Sequence, residues 1–246
     1  MMKYIAEDYL ASKLPYRCLF QFQSFNKNTS FLKRVAQSYE FAKHNPYDLE
    51  VHEAYQAFKE ELLIQFQYMI DHGINVKPWL KEGQPYENSK EMLASLATTD
   101  TLYVFLTESG YGTELSSETL SDHLMLEFSG IKLHDYEFCY NDIFRAVHDY
   151  YSHYLYTNSF SLTGECKAAL RHLDLFSKKA SRAVFSETVG QICWFYFSSH
   201  LSYKNHSENV VEDSFVSLPY CSRLYPEQKC VLLPEELQSE FYSLFS

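Results

Sequence analysis

Glycine and proline are scarce, seven of each in 246 residues, and no stretch gathers them with serine into a linker. A chain so poor in them, 46% hydrophobic and 17% aromatic, reads as a packed globule and not as a disordered or low-complexity one. Long apolar runs are missing, since none approaches the roughly 20 residues that a membrane span requires. The opening Met1-Met2-Lys3-Tyr4-Ile5-Ala6-Glu7-Asp8 turns acidic before an apolar run develops, so no secretory signal is expected. Positive charge is also short: 21 Lys and Arg stand against 32 Asp and Glu, a net charge of −11. A field of that sign repels phosphate backbones and anionic membranes and excludes bulk electrostatic binding to either. Cysteine occurs six times without a C-x-x-C pair. Reduced thiols in a cytoplasmic compartment are expected, with a loop clip between Cys221 and Cys230 as the minor alternative.

What remains is helical periodicity. Residues 29–44 read as a helix ended by Asn45-Pro46. A longer helix over 49–72 spaces Tyr55, Phe58, Leu62, Phe66, Met69 and Ile70 by threes and fours and stops at Gly73. A strand is expected at 74–78, a helix opening at Asn88-Ser89, a strand at 102–106 and a helix near 118–129. From Asn141, taken as the N-cap, a helix puts Ile143, Phe144, Val147, His148, Tyr151 and Leu155 on one face. Helices over 165–177 and 181–201 follow, then an irregular tail and a short helix begun by Pro234. The expected fold is mainly α with a few short strands, a single domain over 1–246. Within it, 1–48 is a helical extension, 49–202 the core holding the site, and 203–246 the tail.

The chemistry concentrates in Phe144-Arg145-Ala146-Val147-His148-Asp149-Tyr150-Tyr151-Ser152-His153. His148 lies on the apolar stripe, where an unpartnered imidazole is costly to bury. A lone histidine there is usually a core residue bonded to a nearby acceptor. A second histidine five residues on, and a carboxylate on a following apolar helix, favour a metal site instead. Histidines sharing an ion from a regular helix are four apart, about 40° around the axis, whereas five apart is about 140°. His148 and His153 therefore reach one ion only where the helix ends or bulges. Glu187 is the third ligand candidate. Gln191, one turn on, is a candidate for orienting it or bonding substrate, and Gly190 signals close approach of another element or of a ligand. Glu165 and His172, seven apart on the intervening helix, form an alternative ligand pair, with Glu165 also a candidate general base. Asp149 is placed as a carboxylate that orients a histidine or acts as base, and Arg145 as its partner or an anchor for an anionic substrate.

Two resemblances attach to these residues. F-R-A-V-H-D-Y-Y-S-H, the later G-E and S-E-T-V-G-Q-I-C-W resemble blocks in a group of uncharacterised proteins of large phages. Ala54-Tyr55, Gly73-Ile74, Pro78-Trp79, Pro85-Tyr86 and Leu102–Phe105 extend that likeness over about residues 50–200, implying residence in the cytoplasm of an infected host. H-D-Y-Y-S-H also resembles the H-E-x-x-G-H block of the pterin-dependent aromatic amino acid hydroxylases, where two histidines and a later glutamate hold non-haem iron. That resemblance implies His148, His153 and Glu187 as iron ligands. Ser152 stands where that family has glycine, and Trp194-Phe195 follows Glu187 where the family's Trp-Phe pair precedes the ligand.

The reading that follows is a mononuclear non-haem Fe(II) oxygenase or hydroxylase with a two-His-one-carboxylate site, acting on a small, partly aromatic substrate. Two alternatives stand beside it. One is a Zn or Mn hydrolase on the same residues, including an HD-type phosphohydrolase suggested by the doublets His134-Asp135 and His148-Asp149. The other is a non-enzymatic phage or host-interaction protein, for which 21 Tyr and 19 Phe would suit a binding surface.

Overall fold

A computed structural model describes residues 24–109, 122–198 and 224–245. The architecture is mainly α, and among the described residues the strands form only two two-stranded sheets. Helix α1 (Thr29–Phe41) begins where the Asn28 side chain accepts from the Phe31 amide at 3.0 Å. It buries Phe31, Leu32, Val35, Ala36 and Tyr39 on one stripe. Its C-terminal carbonyls are collected by a buried lysine, Lys229, whose Nζ reaches the oxygens of Glu40 and Ala42 at 3.0 and 3.2 Å. The helix read as an extension thus packs into the same core as the rest. Helix α2 (Leu49–Asp71), capped by Asp48, ends with Gly73 at φ 90°, a left-handed stop that glycine adopts without steric cost.

Strand β1 (Asn75–Trp79), helix α3 (Ser89–Thr99) and strand β2 (Thr101–Phe105) form a β-α-β unit, with the strands parallel and Asn75 opposite Thr101. Antiparallel strands β3 (Phe128–Leu133) and β4 (Tyr136–Cys139) follow. This hairpin corrects the helix expected near 118–129. Residues 110–121 of that span lie outside the described ones, Leu124–Leu126 make a single 3-10 turn, and Phe128 already belongs to β3. The exposure of β3 alternates residue by residue, and Gly130 at φ 76° sits in a register shift between Phe128 and Ile131. His134 and Asp135, at φ 51° and 63°, are the two-residue turn of the hairpin. The first H-D doublet therefore serves the backbone.

Helix α4 (Tyr140–His148) is capped by Cys139 and not by Asn141. Asp142 bonds back to the Cys139 amide, and its other oxygen accepts from the Thr107 amide just beyond β2. The helix continues without a break into a π-helical segment, Asp149–Tyr154. Helix α5 (Leu162–Leu173) packs on that segment. Helix α6 (Lys178–Phe185), a second π segment (Ser186–Gly190) and helix α7 (Gln191–Phe197) form one continuous helix. α2 packs on α6 and α4, and α1 crosses α7. Residues 224–234 are irregular, as expected, but Cys230, Val231 and Leu233 are core residues, and Pro234 introduces α8 (Glu235–Ser243). Among the described residues Cys139, Cys166, Cys193 and Cys230 are buried free thiols; Cys18 and Cys221, and with Cys221 the loop clip to Cys230, lie outside them. No helix among the described residues is long and apolar enough to cross a membrane.

The close approach signalled by Gly190 is that of α1. A Cβ there would stand 2.7 Å from Cδ2 of Tyr39 and 3.1 Å from Cδ1 of Leu233. Tyr39 cannot swing aside, because it is buried and its hydroxyl donates to the Glu227 carbonyl at 2.9 Å. Gly190→Ala is expected to cost about 1–3 kcal/mol through overpacking, read as a lower urea midpoint at unchanged slope. An unchanged midpoint would show that α1 and the second π segment are not clamped here.

Candidate metal centre

The π segment solves the spacing problem of the two histidines. Its backbone bonds run from residue i+5 to residue i, as in Leu155 N–H to Tyr150 O (3.2 Å) and Asn158 N–H to His153 O (3.1 Å). A residue five positions on is thereby turned back over its predecessor, and the Nε2 atoms of His148 and His153 come to 3.1 Å. His153 Nδ1 lies 3.0 Å from the Asn158 carbonyl oxygen. A carbonyl only accepts, so Nδ1 carries the hydrogen and Nε2 is the atom available to a proton or an ion. Asn158 is held for this by its own Nδ2, which donates to the Ser152 carbonyl at 2.8 Å.

The carboxylate that meets them is Glu165, in the first turn of α5. Ser161 caps that helix, and Gly164 lets it close on the preceding loop; a Cβ at Gly164 would fall inside the van der Waals shell of the Ser159 carbonyl oxygen. Glu165 Oε2 then lies 3.4 Å from His153 Nε2 and 3.8 Å from His148 Nε2. Donors bonded at about 2.0–2.2 Å to one ion stand roughly 3.0–3.5 Å apart. Two of the three separations, 3.1 and 3.4 Å, fall in that range, and the third, 3.8 Å, exceeds it by a few tenths of an ångström. His153 is buried at 1%, while the side chains of His148 and Glu165 keep 15% and 20% of their surface, so the group opens on their side. It opens into a cavity of 420 Å³ walled by Phe105, Phe144, Phe160, Ile192 and Phe195.

Without an ion, the group is held together as an ion pair. Burial opposes the charge on His153, but the Glu165 carboxylate outweighs it and raises the imidazole to about 9. Burial likewise opposes the charge on Glu165, and His153 and His148 outweigh it, lowering the carboxyl to about 2. His172 is fully buried, and burial together with the two other imidazoles holds it well below the ordinary histidine range.

Not all the expected residues converge. Glu187, expected as the third ligand, is committed elsewhere: Tyr55 Oη donates to its Oε1 at 2.5 Å and Gln191 Nε2 donates to its Oε2 at 2.6 Å. Among the described residues the group whose ligand atoms lie close enough to hold one ion is His148, His153 and Glu165. Glu187 instead lines another part of the same cavity. His172 does not join through the same face; its Nδ1 stands 3.0 Å from His148 Nδ1, behind the group, with its ring stacked on Phe144. Asp149 lines the cavity beside His148, its carboxyl raised chiefly by burial, with both histidines and Arg145 pulling the other way. Arg145 donates to the Phe105 carbonyl at 2.6 Å, which ties the end of β2 to the cavity. Asn158 and Tyr55 were not foreseen. Asn158 lies beyond Leu155, the last residue of the apolar stripe, and Tyr55 is one aromatic among several on an apolar stripe, with nothing local to mark its hydroxyl.

Compared with protein-family models, with curated proteins and with solved structures, the chain has no match.

The ion pair sets a pH window. Glu165, lowered from 4.5 to about 2, contributes stability that is present above 4.5 and lost as the pH falls through 2. His153, raised from 6.5 to about 9, contributes stability that is present below 6.5 and lost as the pH rises through 9. In the presence of chelator, the difference in unfolding free energy between wild type and Glu165→Gln is expected to be greatest between about 4.5 and 6.5 and to shrink on both sides. Urea titrations across pH measure it, and a difference that does not vary with pH would contradict the pairing.

Proposed function

We propose that the chain is a metal-dependent enzyme whose ion is held by His148 Nε2, His153 Nε2 and Glu165 Oε2, with Fe(II) the favoured metal. The observation that carries this reading is the convergence of three ligand atoms of that type on one side of an aromatic-walled cavity. Two imidazoles and one carboxylate with positions left open make up the ligand set of non-haem Fe(II) oxygenases, in which the iron supplies binding for O₂ beside the substrate.

The rest of the chain supplies positioning. The Asn158 carbonyl keeps His153 Nε2 directed at the group, and His172 backs His148 from its Nδ1 side. The Phe105, Phe144 and Phe160 rings give the cavity an apolar lining that favours a small, partly aromatic substrate. Arg145 and Asp149 place one positive and one negative group at the edge of the same space. A second reading, a Zn or Mn hydrolase, is favoured by one feature: Glu187 lines the same cavity and lies outside the ligand group, which leaves a carboxyl for the part of general base.

Elemental analysis of anaerobically purified protein, beside a His148→Ala/His153→Ala variant and a Glu165→Ala variant, tests the proposal. Near-stoichiometric iron in the wild type, lost in both variants, is the expected result. Zinc or manganese lost in the same way moves the assignment to hydrolysis. Wild type that holds no more metal than the variants, even after reconstitution, overturns the metal centre.

A further inference from the structure

Glu187 is a buried carboxyl, 5% exposed, carried by the second π segment into the cavity that the first π segment opens on. Each neighbour that faces it is neutral or does not offset its charge. Tyr55 and Gln191 donate to it; Gln228 Oε1 in turn accepts from Gln191 at 3.0 Å. His123 Nε2 stands 4.0 Å away, and burial lowers that imidazole to about 3, so it brings no charge. The phenol of Tyr39 and the thiol of Cys230 are both raised, by burial first and then by Glu187 itself. A carboxylate so placed receives two hydrogen bonds and no cation.

The hydrogen bonds around it serve both protonation states. As a carboxylate, Glu187 accepts from Tyr55 Oη and Gln191 Nε2. As an acid, its Oε1 can donate to Tyr55 Oη, because the tyrosine hydrogen has a second acceptor in the Lys229 carbonyl, 3.2 Å away. Turning one hydroxyl exchanges the two arrangements without moving a heavy atom or leaving a buried group unpaired.

We propose that Glu187 is the proton-exchanging group of this cavity, taking a proton from, and returning one to, a small O–H- or N–H-bearing molecule on an apolar frame. In the forward step the ligand's O–H or N–H bond breaks, its electron pair stays on the ligand, and a new O–H bond forms on the carboxylate; reversal restores both. The step consumes no electrons. It rests on the proposed metal centre only for where the ligand sits. The environment raises the carboxyl from 4.5 to about 7, chiefly by burial, with Tyr55 and Gln191 pulling the other way, which suits exchange near neutrality.

Infrared difference titration of wild type against Glu187→Gln tests this, with metal content measured on the same samples. A carbonyl stretch of a protonated carboxyl is expected to disappear with a midpoint within about a unit of 7 and to be absent from Glu187→Gln. Adding Zn²⁺ moves that midpoint to lower pH, since a cation facing the same cavity favours the carboxylate. Adding phenol as a probe changes the band, and Tyr55→Phe shifts its frequency by removing the acceptor of the acid proton. Glu187→Gln holds as much Zn²⁺ as wild type. Loss of the ion in Glu187→Gln to the extent seen in Glu165→Ala would make Glu187 a ligand and overturn the proposal, as would a wild type with no titrating band near neutrality. A titrating band in a protein that binds no metal would retire the metal centre and leave this assignment standing.

Discussion

Everything at the candidate centre depends on a change of hydrogen-bond register in one helix. If α4 had run on as a regular helix through His153, the two imidazoles would have pointed about 140° apart and could not have shared anything. Instead, i→i+5 bonds from the π segment turn His153 back toward His148, ring edge to ring face, and bring their Nε2 atoms to 3.1 Å. π segments are costly and rare, and are found where a side chain must be aimed. Here tertiary contacts hold the segment: α5 packs along it, and Asn158 joins the carbonyl of Ser152 to the imidazole of His153.

A second π segment does the corresponding work across the cavity. It carries Glu187 to the cavity and brings Gly190 under Tyr39, so that the Tyr39 ring of α1 lies directly on the backbone of the helix. Gly164 plays the same part for α5, letting the 159–161 turn close where the Glu165 carboxylate must reach the histidines. Two glycines and two π segments together position the polar groups of the cavity. Two different means keep these carboxyls in a buried setting: Glu165 is paired with His153, whereas Glu187 has no cation and is raised to about 7 by burial, with hydrogen bonds from Tyr55 and Gln191 opposing.

The helices were legible because their apolar spacing and caps are local. Asn28, Asp48 and Asn88 cap just where helices are expected to open, whereas Ser161 and Ser177 start α5 and α6 three residues ahead of the expected 165 and 181, and Ser177 falls outside the helix expected to end on it. The β3–β4 hairpin was not, because its turn is His134-Asp135, residues that adopt positive φ without advertising it as Asn-Gly would. At the site, the two histidines and the need for the helix either to end or to bulge between them could be read from spacing alone; that it bulges could not. Which carboxylate joins them could not, since Glu165 and Glu187 both sit on helices that follow α4. The choice is made by tertiary packing: α5 lies on the first π segment, while Tyr55, far earlier in the chain, claims Glu187. Hydroxyls on apolar stripes are invisible to periodicity, which records only that a residue is buried.

The position of the ion decides the matter, and anomalous scattering from crystals grown with Zn²⁺ or anaerobically with Fe(II) locates it. One strong peak is expected within bonding distance of His148 Nε2, His153 Nε2 and Glu165 Oε2, about 2.0–2.2 Å from each. A peak centred on Glu187 and His123, or none at saturating metal, would contradict it.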